Sequence, residues 1–253
     1  MNAIATRPAA ARSLRAIVGY TLRSTLPAKR WFGASIPAAT AILFGLIARS
    51  QTEPSDFAFV GVAADSLYII VLPITALVIG DAVMGAEVRS GTFAFTWMSP
   101  VPTWHITVGR WLGGAIAAAT TIAVAFALSA VIAGAPELAG AAAVSGAFGA
   151  AAYVAVFIAI GCIAKRAAVW SIAFVILVEQ LLGGAVSGIA QLSPLWESQA
   201  AFVGLTDDVR PEYLREGIPH GTAALVRLAI ITAVALLLAN WRLRTLKLTG
   251  SAD

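Results

Sequence analysis

Two groups of residues in this chain have types and spacing that could do more than fill space. The first is Glu179-Gln180, an acid and an amide inside the apolar run 167–189. An ionised carboxylate at mid-bilayer costs about 2.5–3.5 kcal/mol on insertion scales. Such a group must face a cavity, a partner or a donor on a neighbouring helix, or keep its proton. Two roles stay open for this pair: facing a cavity or partner, or a structural hydrogen bond between helices. The second group is a polar break, Glu87, Arg89, Gly91 and Thr92, followed by Phe93, Phe95, Trp97 and Pro100. Proline disfavours helix at the residue before it, so a short amphipathic helix is expected to end at Ser99-Pro100. Its aromatic residues suit a membrane surface, and its charges could pair with a partner. The plain alternative is a loop with helix-capping residues.

Other chemistry finds little support. One cysteine, Cys162, allows no intrachain disulfide and no Cys-based metal site. His105 and His220 stand far apart in sequence, which disfavours zinc. No Gly-x-x-x-x-Gly-Lys-Ser/Thr phosphate loop occurs, so any ATP hydrolysis belongs to another polypeptide, and the chain is not read as an enzyme. Ser187-Gly188 and His220 invite comparison with intramembrane serine proteases. However, Ala185 stands where their Gly-x-Ser-Gly pattern has glycine, and His220 is expected at the membrane edge.

The elements that must position these residues follow from composition. The chain is 59% hydrophobic and 12% charged, against about a quarter charged in soluble domains. Lipid must be its outer solvent. Runs of about 20 apolar residues predict an all-α polytopic protein, a single transmembrane domain with six spans at about 31–48, 57–80, 106–133, 138–164, 167–189 and 221–241. Before them, Leu14, Ile17, Val18, Thr21 and Leu22 share one helical face opposite Arg12, Arg15 and Arg23. That pattern predicts an interfacial helix over about 10–27, apolar side down on lipid. With six spans, both termini lie on one side. Of the 17 Lys and Arg, all but Arg49, Arg210, Arg215 and the intramembrane Arg227 then fall on that side. The positive-inside rule makes it the cytoplasm, of a multi-pass cell-membrane protein. Cations beside apolar runs point to headgroups and not to nucleic acid. Asp65 and Asp81 are expected at the two ends of the second span, and Arg227 is expected to snorkel outward. The long segment 190–220 is apolar enough in parts to dip back into the bilayer.

Segment 84–100 resembles the cytosolic coupling segment in the membrane subunit of type-two ATP-binding cassette exporters. The matching positions are Glu87, Gly91-Thr92, Pro100 and Arg110, the last opening the third span. The basic leader, the six spans, the long loop before the last span and Leu192-Ser193-Pro194 are similar to that family too. The resemblance implies that Glu87, Arg89 and Thr92 contact a separate ATPase. Two such ATPases, carrying ATP and Mg, would drive a pair of membrane subunits, identical or related. It also implies that spans two and five line the route between those subunits, which makes Glu179 and Gln180 candidates for it. Export of a hydrophobic or amphipathic substrate, such as a drug, lipid or peptide, is the expected activity. A non-transporting membrane scaffold or immunity subunit with the same fold is the alternative.

Overall fold

A computed structural model describes residues 10–25, 31–85, 101–164, 166–207, 210–215 and 217–245. Every regular element among them is helical, and the protein is an all-α multi-pass membrane protein. Five helices are long and apolar enough to cross a bilayer: Ser55–Val83, Thr103–Ala133, Pro136–Ile163, Ala167–Ala185 and Thr222–Thr245. Trp31–Arg49 precedes them, with Ser35–Arg49 as a shorter apolar helix. In chain order these are spans one to six. An amphipathic N-terminal helix, Ala10–Thr25, comes first.

Span three has 31 residues, about 46 Å at 1.5 Å per residue. The hydrocarbon core is only about 30 Å thick. Its far end closes at Gly134, whose φ of 90° forms a left-handed cap. The surplus length therefore sits at the other end, where Thr103, His105, Thr107 and Arg110 are found. The N-terminal helix packs along this surplus. Ser13 Oγ lies 3.1 Å from His105 Nδ1, Leu14 and Ile17 close on Gly109, and Val18 and Thr21 close on Gly113. A Cβ at Gly113 would lie 2.6 Å from the Thr21 Cβ, so glycine opens the trough that the helix fills. Positions 13 to 21 advance as 105 to 113 advance, so the two helices run side by side. The apolar face that the sequence assigns to lipid thus covers span three, while Arg12, Arg15 and Arg23 stay exposed.

The core lies where spans two, three and four meet the segment after span five. Tyr68 stacks on Phe202 at 5.4 Å, meets Phe126 edge-on at 5.2 Å and shares a 2.6 Å hydrogen bond with Ser145. Span two winds as a π-helix over Ala63–Val71. Pro73 follows within the next turn; its missing N–H removes a helical bond and permits the register change. Span five is π-wound over Phe174–Leu182 and is the least covered span, with only Ser171, Glu179 and Gly183 buried.

Span five was expected to reach Ile189. Its helix breaks earlier, at Val186, where φ −125° and ψ 111° are extended. After the short helix Ser187–Ala190, the chain enters an 11-residue helix, Pro194–Gly204. Ser198 of that helix and Leu72 of span two both lie against Gly149 of span four, and Leu72 and Gly149 are each near the middle of their spans. A Cβ at Gly149 would sit 2.2 Å from Ser198 Oγ, so only glycine admits this helix so deep. Phe202, further on, meets Phe59 near the start of span two. The helix is therefore re-entrant: it begins deep in the bundle and runs out to Gly204, which crosses Gly221 before span six.

Candidate functional site

Glu179 sits on the π-wound part of span five and is fully buried. Its carboxylate lies at the N-terminus of the re-entrant helix. The first amides of any helix lack intrahelical acceptors and carry partial positive charge. Here Leu195 N–H donates to Oε1 at 3.2 Å, and Ser193 Oγ donates to the same oxygen at 2.6 Å. Tyr153 Oη, from span four, donates to Oε2 at 2.5 Å. The Trp196 indole N–H donates to the Glu179 backbone carbonyl at 3.0 Å. Ser193 also caps the helix by accepting from Trp196 N at 3.4 Å. The acid therefore joins span four, span five and the re-entrant helix. Of the two roles left open for it, this geometry displays the hydrogen-bonded one. Gln180 points elsewhere: its Nε2 donates to the Ile69 carbonyl of span two at 3.5 Å.

Arg215 closes the same unit from outside. Its guanidinium stacks 3.8 Å from the Trp196 ring. It donates to the Gly183 and Gly184 carbonyls at 2.8 and 3.2 Å, the last turn of span five. A cation at a helix C-terminus offsets the dipole there. Arg227 does not snorkel freely: its NH1 lies 3.5 Å from Oε1 of Glu197, a fully buried acid on the re-entrant helix that attracts it inward. Further out, Arg210 pairs with Glu53 and with Glu212 at 3.3 Å and donates to the Phe57 carbonyl at 3.1 Å. Tyr213 donates to Asp65 at 3.1 Å. Burial first, then the Asp65 carboxylate, raises the Tyr213 phenol above its ordinary range, so it stays a donor. Ser187 and His220, the pair weighed for nucleophilic chemistry, are both exposed, and no hydrogen bond joins them among the described residues.

At the opposite end, Arg110 is 3% exposed. Its NH1 donates to the Val83 carbonyl at 2.9 Å, and its guanidinium lies 5.2 Å from the Tyr20 ring. It thereby ties span three to the end of span two and to the N-terminal helix. Glu87, Arg89, Gly91, Thr92 and Pro100 lie outside the described residues. Along the bundle's side, a predominantly apolar groove of about 560 Å³ runs between spans four and five, walled by Ile160, Ile163, Trp170, Phe174 and Leu177. Glu179 is not among its walls.

No protein-family model and no curated protein matches the sequence. Sequence reasoning found the buried acid but missed its donors. One signal was readable: Ser193-Pro194 is a capping residue followed by proline at the first helical position, which marks a helix start. The roles of Tyr153 and Arg215 had no local signal.

Proposed function

We propose that the chain is the membrane subunit of an ATP-binding cassette transporter of the type-two exporter class. In this reading it moves a hydrophobic or amphipathic substrate, and a pair of such subunits is driven by two separate ATPases that carry the ATP and Mg. The observation that carries the reading is Arg110. A lever that transmits force needs stiff roots. Segment 86–100 is flanked by Val83 and Thr103, and Arg110 binds the carbonyl at the first flank from the helix that opens at the second. The N-terminal helix packs against the same turns, so a push on the segment would move spans two and three together. Glu87, Arg89 and Thr92 are the proposed contacts with the ATPase, in the cytoplasm on the side of both termini.

The groove beside span five has the chemistry to suit apolar cargo. Glu179, with donors on both carboxylate oxygens, acts as a positioning residue that holds the re-entrant helix. Gln180 stays the proposed route residue.

Co-expression with a candidate cassette ATPase taken from a neighbouring reading frame tests the reading. The two should copurify, and the membrane subunit should stimulate ATP hydrolysis in proteoliposomes. Glu87→Ala should lower that stimulation while insertion stays normal. Copurification without any substrate movement would favour the scaffold alternative, and stimulation unchanged by Glu87→Ala would remove the coupling role.

A further inference from the structure

A second groove, of about 460 Å³, lies between spans three, four and six, and what it binds does not depend on the transport reading. Span six lines it with Ala229, Thr232, Ala233 and Leu236, and Trp111 walls it from span three. Trp111 is fixed there by its indole N–H, which donates to the Ala151 carbonyl at 3.0 Å.

Positions four apart on a helix share a face. Continuing the span-six stripe from Leu236 reaches Asn240 and then Arg244. Continuing span three backward from Trp111 reaches Thr107 and then Thr103. These continuations meet: Thr103 Oγ1 donates to Asn240 Oδ1 at 3.0 Å, and Arg244 Nε donates to Thr103 Oγ1 at 3.3 Å. The apolar groove is thus closed at one end by a built polar cluster. Among the described residues nothing bonds the two terminal nitrogens of Arg244, and the residue is exposed. A guanidinium held by Nε with its outer nitrogens open is arranged to take a phosphate in a forked pair of bonds.

Depth agrees with charge. From Thr232, the middle of span six, to Arg244 is about 18 Å of helix. One leaflet is about 15 Å of hydrocarbon plus the first part of the headgroup layer. A phosphate at Arg244 therefore places an acyl chain along the groove, with its tail at the bilayer centre. We propose that this groove binds an anionic phospholipid, its phosphate on the outer nitrogens of Arg244, which Thr103 orients, and one acyl chain against Ala229, Ala233, Leu236 and Trp111.

The full chain, purified in detergent and delipidated, is titrated with dioleoylphosphatidylglycerol or dioleoylphosphatidylcholine and read by native mass spectrometry. Wild type should retain the anionic lipid about fivefold better, the expected effect of one basic residue at the surface. Arg244→Gln should abolish the preference, while Arg12→Gln, the same charge change on the exposed face of the N-terminal helix, should keep it. Ala233→Trp, which fills the groove, should reduce retention of both lipids. Ala229→Phe serves the same purpose should Ala233→Trp fail to fold. Equal retention of the two lipids by wild type, or equal losses in Arg12→Gln and Arg244→Gln, would overturn the site. Displacement by inorganic phosphate with groove-filling variants unaffected would equally overturn it, because the acyl chain would then contribute nothing.

Discussion

Tyr153, Ser193 and the Leu195 amide converge on one buried carboxylate, and each removal has a distinct consequence. Tyr153→Phe takes away the one donor to Oε2 among the described residues and leaves a buried acceptor unmet, a loss of about 1–3 kcal/mol. Ser193→Ala removes one of the two donors on Oε1 together with a helix cap, about 1 kcal/mol. Thermal unfolding in detergent should therefore rank wild type above Ser193→Ala and Ser193→Ala above Tyr153→Phe. No loss in Tyr153→Phe would mean that the acid does not depend on that bond. At this scale the sequence was only half legible. An acid in an apolar run announces that it needs partners, but these arrive from 14, 16 and 26 residues away. No periodicity within span five encodes them.

The elements themselves were easier to read, because hydropathy over a span-length window is a local property. What hydropathy misreads is which solvent a face meets. Leu14, Ile17 and Val18 are equally apolar against lipid or against a helix, and the deciding residues, Gly109 and Gly113, sit 91 or more positions away. Gly113→Leu tests this directly. Its side chain would occupy the space of Thr21 and lift the N-terminal helix from span three. Protease sensitivity within residues 12–23 should rise, while the six spans stay inserted. Unchanged protection would show that the helix is held by something other than this trough. Val186 carries a similar lesson: the apolar run continues past it, so composition alone extends span five, whereas the backbone turns there because the re-entrant helix must reach Ser193 back to Glu179.

For the whole molecule, the charge bias predicts which end faces the cytoplasm. The sole cysteine, Cys162, is buried, so a Cys162→Ala background with single cysteines at Arg12 or Asp207 gives a clean test. Membrane-impermeant maleimide on intact cells should label position 207 and not position 12. The reverse would place the proposed coupling segment on the wrong side and end the transport reading. The re-entrant helix also has a consequence for biogenesis. Glu179 emerges from the ribosome and reaches the membrane ahead of Ser193 and Leu195. Until those residues fold back, the newborn protein carries a carboxyl group without its donors inside the lipid, and a truncated or stalled chain keeps that defect permanently. Surveillance proteases that extract poorly assembled membrane proteins should thus clear a chain ended before residue 193 much faster than one ended after residue 245, which a pulse-chase comparison of the two would measure.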